Sequence, residues 1–238
     1  RNLLPEGKPG SNVEARQTHL RDSISRLKYS PNGRALAVGT NGRNIHIFAL
    51  NIDADPALYR KVATLKGHTS VVKNLDWSLD SRFIMSNSVD DEIIYWEIAP
   101  GAGSDGAGFK PKQFVHPYEL RDIEWYTWTC HLGWPVQGVW CGGHEYNDNS
   151  EINGICRSGG GDSMLTADTH CNVRLFRFPC LHGATPKTYA RHCAHVTGAI
   201  FLHDDEHVVS VGGSDSTVIQ WLHIPQNVNG EWKGKGRE

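Results

Sequence analysis

Gly67-His68-Thr69-Ser70-Val71-Val72-Lys73-Asn74-Leu75-Asp76-Trp77, a polar turn, then Phe83-Ile84-Met85-Ser86-Asn87-Ser88-Val89-Asp90-Asp91-Glu92-Ile93-Ile94-Tyr95-Trp96-Glu97 form the stretch that decides the fold. Residues 191–222 repeat it as Arg191-His192-Cys193-Ala194-His195-Val196-Thr197, a polar turn, and Val208-Val209-Ser210-Val211-Gly212-Gly213-Ser214-Asp215-Ser216-Thr217-Val218-Ile219-Gln220-Trp221-Leu222. His68 precedes Asp90 by 22 residues and His192 precedes Asp215 by 23, and each Asp precedes its Trp by six. A His before one strand, an Asp in a later turn and a Trp beyond it, repeated along a chain, is the pattern of a WD-repeat β-propeller blade.

Further units lie outward from this pair. Strand-like runs at 24–29, 35–38 and 45–48 are joined by Ser30-Pro31-Asn32-Gly33 and Thr40-Asn41-Gly42, both carrying the Asn-Gly hairpin signal. Residues 61–65 read as an outer strand leading into the 67–97 repeat. A third unit comprises 152–157, 163–167 and 173–178, and an outer strand near 188–190 precedes the last repeat. The closing aromatics Phe48, Trp96, Phe176 and Trp221 are 48, 80 and 45 residues apart. A blade takes about 40–45 residues, so the middle interval holds one blade's worth of extra chain. Part of it is Gly101-Ala102-Gly103-Ser104-Asp105-Gly106-Ala107-Gly108; the rest, residues 121–140, holds four of the eight Trp. Its length favours an extra strand and a tight turn at Gly133-Trp134-Pro135.

Composition is that of a folded chain, 39% hydrophobic and 21% charged, with no apolar run near the ~20 residues a membrane helix requires. The formal net charge of −2 gives no general attraction to nucleic acid. Residues 1–34 are locally basic, seven Lys/Arg against three acids. The six cysteines (130, 141, 156, 171, 180, 193) are scattered, several in apolar runs, which suits reduced buried thiols better than a disulfide framework.

His68, Ser88, Asp90 and Trp96 contain the residue types of a hydrolase, but blade geometry makes them one buried hydrogen-bonded tetrad, with His192, Asp215 and Trp221 in the second copy. A nucleophile also needs an exposed elbow, and no Gly-x-Ser-x-Gly occurs. His203-Asp204-Asp205-Glu206-His207 occupies a hairpin turn, not the helix face on which an i, i+4 His pair binds zinc. Cys141-Gly142-Gly143-His144 and His192-Cys193-Ala194-His195 lack the four closed-spaced ligands of structural zinc. Ser158-Gly159-Gly160-Gly161-Asp162 lacks the Lys-Ser/Thr of a phosphate loop and reads as a turn. No catalytic residue, metal or cofactor is expected.

Glu124-Trp125-Tyr126-Thr127-Trp128-Thr129-Cys130, Leu132-Gly133-Trp134 and Gly138-Val139-Trp140 resemble a segment of the echinoderm microtubule-associated-protein-like family, in the second propeller of a fused tandem pair. Leu75-Asp76-Trp77-Ser78, Ile152-Asn153-Gly154-Ile155-Cys156-Arg157, Leu175-Phe176-Arg177-Phe178-Pro179-Cys180 and Gly212-Gly213-Ser214-Asp215 are similar too, so the likeness runs from about residue 20 to 224 in the family's order. Departures exist: the turn 167–172 keeps only Asp168, Arg191-His192 replaces Gly-His, Gly42 stands where the blade Asp falls, and His19 is one residue out of register.

These readings together give an all-β fold of about four four-stranded antiparallel blades, an incomplete ring cut from a larger tandem propeller. The expected layout is 1–17 as linker or end of a preceding blade, blades at about 18–60, 61–100, 101–180 with the insertion and 181–224, and a tail at 225–238. The resemblance implies a non-enzymatic scaffold in the cytoplasm and cytoskeleton that binds tubulin, microtubules or microtubule-bound partners, with neither nucleic acid nor membrane as partner. The alternatives are a scaffold for an unrelated signalling or ciliary complex and a hydrolase using His68 and Asp90. Arg16, Arg21, Arg26 and Arg121 with Trp125, Trp128 and Trp134 form the candidate partner surface. The Trp rings have two readings, as core filling or as a contact patch.

Overall fold

The computed structural model describes residues 20–51, 58–98, 111–140 and 151–224. The chain divides into two compact units, Arg1–Tyr126 and Thr127–Glu238. The first holds β1 (Ile24–Tyr29), β2 (Ala35–Thr40), β3 (Asn44–Asn51) and β4 (Leu58–Lys66) in one antiparallel sheet, and β5 (Val72–Trp77), β6 (Phe83–Ser88), β7 (Ile93–Glu97) and β8 (Lys112–Phe114) in a second. The second unit holds β9 (Ile152–Arg157), β10 (Ser163–Asp168), β11 (Asn172–Arg177) and β12 (Lys187–Ala190), then a three-stranded sheet of β13 (Val196–Phe201), β14 (His207–Gly212) and β15 (Val218–Leu222). All four sheets are antiparallel meanders, the blade architecture expected.

The sheets exist because strand periodicity gives each two faces and both find apolar partners. In the first unit Ala35, Ala37, Ile45, Ile47 and Leu65 meet Val72, Leu75, Trp77, Ile84 and Trp96 in one core. In the second, Leu165, Ala167 and Val173 meet Val196, Ala199, Phe201 and Val208. The opposite face of the last sheet leaves Ile200, Val211, Val218 and Leu222 exposed.

The hairpin turns share one device. The first turn of each sheet carries a left-handed residue at Gly33, Ser81, Gly161 or Asp205, and the second at Arg43, Asp91, Cys171 or Ser216, with φ from 52° to 73°. Three first turns are braced by a buried serine. Ser30, Ser78 and Ser158 accept through Oγ the N–H of Ala35 (2.9 Å), Phe83 (2.8 Å) and Ser163 (3.0 Å). The fourth turn has Leu202 there, and Asp204 accepts the N–H of Glu206 and His207 instead.

Three expectations are corrected. The left-handed residue of the β2–β3 turn is Arg43, not the glycine of Asn41-Gly42; at Gly42 a Cβ would meet only the carboxylate end of the exposed Asp22 side chain, which can turn aside. The 61–65 and 188–190 strands close the sheets before them, β4 pairing with β3 and β12 with β11, while β8 extends the second sheet past residue 100. A meander carries each chain straight to its neighbouring edge, so the outermost strand precedes the next repeat's His. The Trp-rich segment supplies no extra strand. It makes a lone bridge from Trp125 to Ser78 and two 3₁₀ helices, Pro117–Leu120 and Trp134–Val139, since Pro at the first turn of each favours helical φ. Among the described residues no helix is long and apolar enough to cross a membrane.

Candidate functional site

The turn between β6 and β7 brings the first repeat's polar residues together. Trp96 Nε1 donates to Ser86 Oγ at 2.9 Å, and His68 Nε2 lies 2.7 Å from that oxygen. His68 Nδ1 is 3.3 Å from Glu92 Oε2. With the proton of a neutral imidazole on Nδ1, the bonds run in one direction: Trp96 to Ser86, Ser86 to His68, His68 to Glu92. Burial lowers the His68 pKa, and the Glu92 hydrogen bond only partly opposes it. Glu92 is held down to about 2, first by the Thr69 N–H and then by the Thr69 hydroxyl.

Two expected members of the tetrad are therefore replaced. The serine is Ser86, not Ser88: Ser88 lies one pleat further on, at the strand end, where its Oγ donates to Glu92 at 3.2 Å. The acid is Glu92, not Asp90, whose carboxylate instead accepts from Thr69 Oγ1 at 3.3 Å. In the second repeat Asp215 keeps the expected role. His192 Nε2 meets Ser210 Oγ at 2.8 Å, Trp221 Nε1 donates to the same oxygen at 2.8 Å, and Nδ1 lies 3.2 Å from Asp215 Oδ2. The difference follows from one position after the left-handed residue. Thr217 is too short to replace Asp215 and adds a hydroxyl 2.8 Å from His192, whereas Glu92 is long enough to reach back over the imidazole. Each carboxylate also takes the N–H after its His, from Thr69 at 3.0 Å and Cys193 at 3.1 Å. The signal for Ser86 lay in the sequence: His68 to Ser86 and His192 to Ser210 are both 18 residues.

Serine, histidine and carboxylate thus stand in hydrolase order, yet the arrangement has no route to a substrate. Ser86 is 0% exposed, with its oxygen covered by the Trp96 donor. Asp90, the alternative catalytic acid, does not touch His68 among the described contacts. The third unit uses a different brace: Asp168 Oδ1 accepts the N–H of His170 and Asn172, and Oδ2 lies 3.2 Å from Arg174 Nη2 in a buried ion pair.

Other candidate chemistry resolves into structure. Gly159 and Gly160 do present convergent N–H groups, but these hold the Asp205 carboxylate at 2.8 and 2.6 Å, tying the β9–β10 turn to the β13–β14 turn. Asp204 pairs with His207 Nδ1 at 2.7 Å inside its own turn. Among the described residues no three His, Cys, Asp or Glu converge as metal ligands would. Cys130, Cys156, Cys171, Cys180 and Cys193 are free thiols; Cys141 and His144 lie outside the described residues.

The expected partner surface separates into three groups. Arg16 lies outside the described residues, while Arg21 and Arg121 are exposed. Arg26 is committed to the fold, its Nε donating to Lys73 O at 2.7 Å and Asn74 Oδ1 at 3.2 Å on the neighbouring sheet. Trp125 and Trp128 are buried, which removes them from the surface. Trp125 packs on Tyr95 with centroids 6.0 Å apart, and Trp128 packs on Phe178 and donates to Cys130 O at 2.7 Å. Trp134 is 45% exposed and Trp140, not expected at the surface, 40%. Both readings of the segment hold, for different rings.

The model of the echinoderm microtubule-associated protein second β-propeller matches residues 5–223. The chain belongs to this family. Human echinoderm microtubule-associated protein-like 3 is 41% identical over 201 residues, 84% of this chain and 21% of that protein. Human echinoderm microtubule-associated protein-like 4 is 37% identical (87% of this chain, 20% of that protein), and mouse echinoderm microtubule-associated protein-like 1 is 38% identical (85% and 23%). The chain thus spans about a fifth of the length of the curated relatives it matches. A chain in the crystal structure of the mitotic checkpoint complex aligns at a TM-score of 0.43 and 14% identity, over 84% of this chain and 50% of that one, a likeness too loose to bear on function.

Residues 121–140 are held by backbone bonds beyond the ladders of the four meanders. Tyr126 N donates to Trp77 O at 2.9 Å and Leu79 N to Glu124 O at 2.8 Å in the first unit. In the second, Gly138 N donates to Cys180 O at 2.8 Å and Cys180 N to Pro135 O at 2.7 Å.

Proposed function

We propose that this chain is a non-enzymatic scaffold, part of a cytoplasmic, cytoskeletal protein that binds tubulin, microtubules or microtubule-bound partners. The observation that carries the scaffold reading is the Trp96–Ser86–His68–Glu92 chain, whose tryptophan, serine and histidine are buried. The residues with catalytic chemistry spend it on each other, and what the molecule offers to a partner is surface. Membership in a microtubule-associated family supports tubulin as the partner. On this reading the exposed Arg21 and Arg121 contribute electrostatic attraction to an acidic surface, which screens with salt.

Co-pelleting of the full-length parent with polymerised microtubules tests the reading. The intact parent sediments with microtubules, and Arg21→Glu with Arg121→Glu weakens sedimentation at low salt while leaving Tm unchanged. A parent that stays in the supernatant at every tubulin concentration refutes the tubulin assignment.

A further inference from the structure

The seam between neighbouring sheets is built the same way in each unit. In the first, Val72, Leu75 and Trp77 of β5 share one core with Ala37, Ile45 and Ile47 of β2 and β3. In the second, Val196, Ala199 and Phe201 of β13 share one with Leu165, Ala167 and Val173 of β10 and β11. Each seam therefore joins a row of knobs on the first strand of one sheet to a floor on the second and third strands of the sheet before it. The uneven knob spacing comes from a register shift between Val72 and Asn74 in β5 and between Val196 and Gly198 in β13.

The first strand of the first sheet carries the same row with nothing seated against it. Ile24, Leu27 and Tyr29 flank an identical shift between Ile24 and Arg26, and each is more than half exposed. Arg26 and Lys28 turn the other way: Arg26 Nε donates to Lys73 O at 2.7 Å, and Lys28 Nζ lies 3.7 Å from Asp76 Oδ1 on the second sheet. The bare row is thus apolar apart from the Tyr29 hydroxyl, which pairs with that of Tyr59.

The last sheet carries a bare floor. Its pairing registers set Val209, Val211 and Val218 at the positions that Leu165, Ala167 and Val173 hold in the sheet before. Val211 and Val218 are exposed, with exposed Ile200 beside them. Residues 207–212 and 217–222 contain no Asp, Glu, Lys or Arg. A glycine marks the same face as a seam. At Gly154 a Cβ would come within 3.2 Å of Gly198 Cα, so this glycine lets β13 approach β9 closely. Gly198 repeats it at the equivalent position of β13, where a Cβ would meet only Val211 at 3.8 Å, leaving room for one more first strand.

Knobs without a floor and a floor without knobs are the two halves of one seam, and every copy of the chain carries both. We infer that the chain associates head to tail with a second copy, Ile24, Leu27 and Tyr29 of one seating on Val209, Val211 and Val218 of the other. Both seams within the units join knobs to floor, so this contact is heterologous and repeats into a ring or an open chain instead of stopping at a symmetric pair. Covering the two rows removes apolar surface from water, and neither row brings a charge to be desolvated.

Sedimentation velocity of the 238-residue chain over a dilution series tests the inference. Wild type should show multiples of the monomer that grow with concentration. Leu27→Asp, which spoils the knobs, and Val218→Asp, which spoils the floor, should each run as monomers. Their equimolar mixture should recover a dimer and nothing larger, because each variant keeps the half that the other lacks. If either variant melts below wild type, Ile24→Lys and Leu222→Lys, on the same two faces, take their places. A wild-type monomer up to millimolar would overturn the assignment and leave the two faces to other sheets. Self-association that survives Leu27→Asp or Val218→Asp, or a mixture of the folded variants that stays monomeric, would overturn it too.

Discussion

Replacing Ser86 with alanine separates the network the structure shows from the one its spacing suggested. The Ser86 hydroxyl is the only bridge between the Trp96 N–H and His68 Nε2, at 2.9 and 2.7 Å, and it also donates weakly toward Ile94 O at 3.3 Å. The substitution leaves two ring nitrogens in a buried site with no partner oxygen. Each orphaned buried group costs about 1–3 kcal/mol, so Ser86→Ala should destabilise by about 2–4 kcal/mol after local relaxation. Asp90→Asn is the matched control. Asp90 is exposed and, among the described contacts, touches only Thr69 Oγ1 at 3.3 Å, so its change should stay within about 0.5 kcal/mol. Urea denaturation of the full-length parent, with each variant's midpoint set against wild type, gives both numbers in one series. A Ser86→Ala midpoint indistinguishable from wild type, or an Asp90→Asn loss as large as that of Ser86→Ala, would refute the reasoning.

Stability should fall as pH drops below the ordinary histidine value of 6.5, because burial keeps folded His68 neutral while the unfolded chain takes up the proton; the loss levels off below the lowered folded pKa, and a urea series in His68→Gln should show a shallower slope. His46 acts in the same sense through burial and the charge of Lys61, so His46→Gln should remove a further part. Glu92 adds an acid limb: its stabilisation is complete above about 4.5 and is lost as pH falls toward about 2. Arg26→Glu should cost about 1–3 kcal/mol by breaking two bonds to the neighbouring sheet, seen as a lower Tm rather than as weaker microtubule binding alone. Gly42→Ala should change stability by no more than about 0.5 kcal/mol, because the exposed Asp22 carboxylate can turn away from the added methyl, and a Tm series of the full-length parent reads it.

Where local chemistry repeats, the fold was legible. The runs at 24–29, 152–157 and 163–167 became β1, β9 and all but the last residue of β10, because alternating apolar residues between turn residues have one antiparallel solution. The tetrad was legible in outline but not in membership. Ser86 and Ser88 point to the same face of β6, and Asp90 and Glu92 flank one left-handed residue, so only the reach of each side chain distinguishes them. Trp spacing gave no means of sorting rings in residues 121–140. There the chain follows no strand or α-helix period, and the burial of Trp125 and Trp128 depends on Tyr95 and Phe178, each supplied by a strand or turn far along the sequence.

The division of labour inside each blade explains why sequence can drift so far among such chains while the sheet persists. At the eight inner hairpin turns the backbone conformation is common, yet its left-handed position is filled by Gly, Ser, Asp, Arg and Cys. A non-glycine residue there carries a conformational cost, and the hydrogen bonds of the turn offset it. Ser30, Ser78 and Ser158 supply these at the first turns of three sheets, Asp204 at the fourth, and Asp168 at a second turn. Since the brace can be a hydroxyl or a carboxylate, and the hub a His–Ser–Trp chain or an Asp168–Arg174 pair, blade geometry places few demands on any one residue. The surface-facing residues between braces are then free to be chosen for contact. Outside the blades, Trp134 faces outward over the buried Val136 and Val139, whereas Trp140 is tied inward by its bond to His131 O.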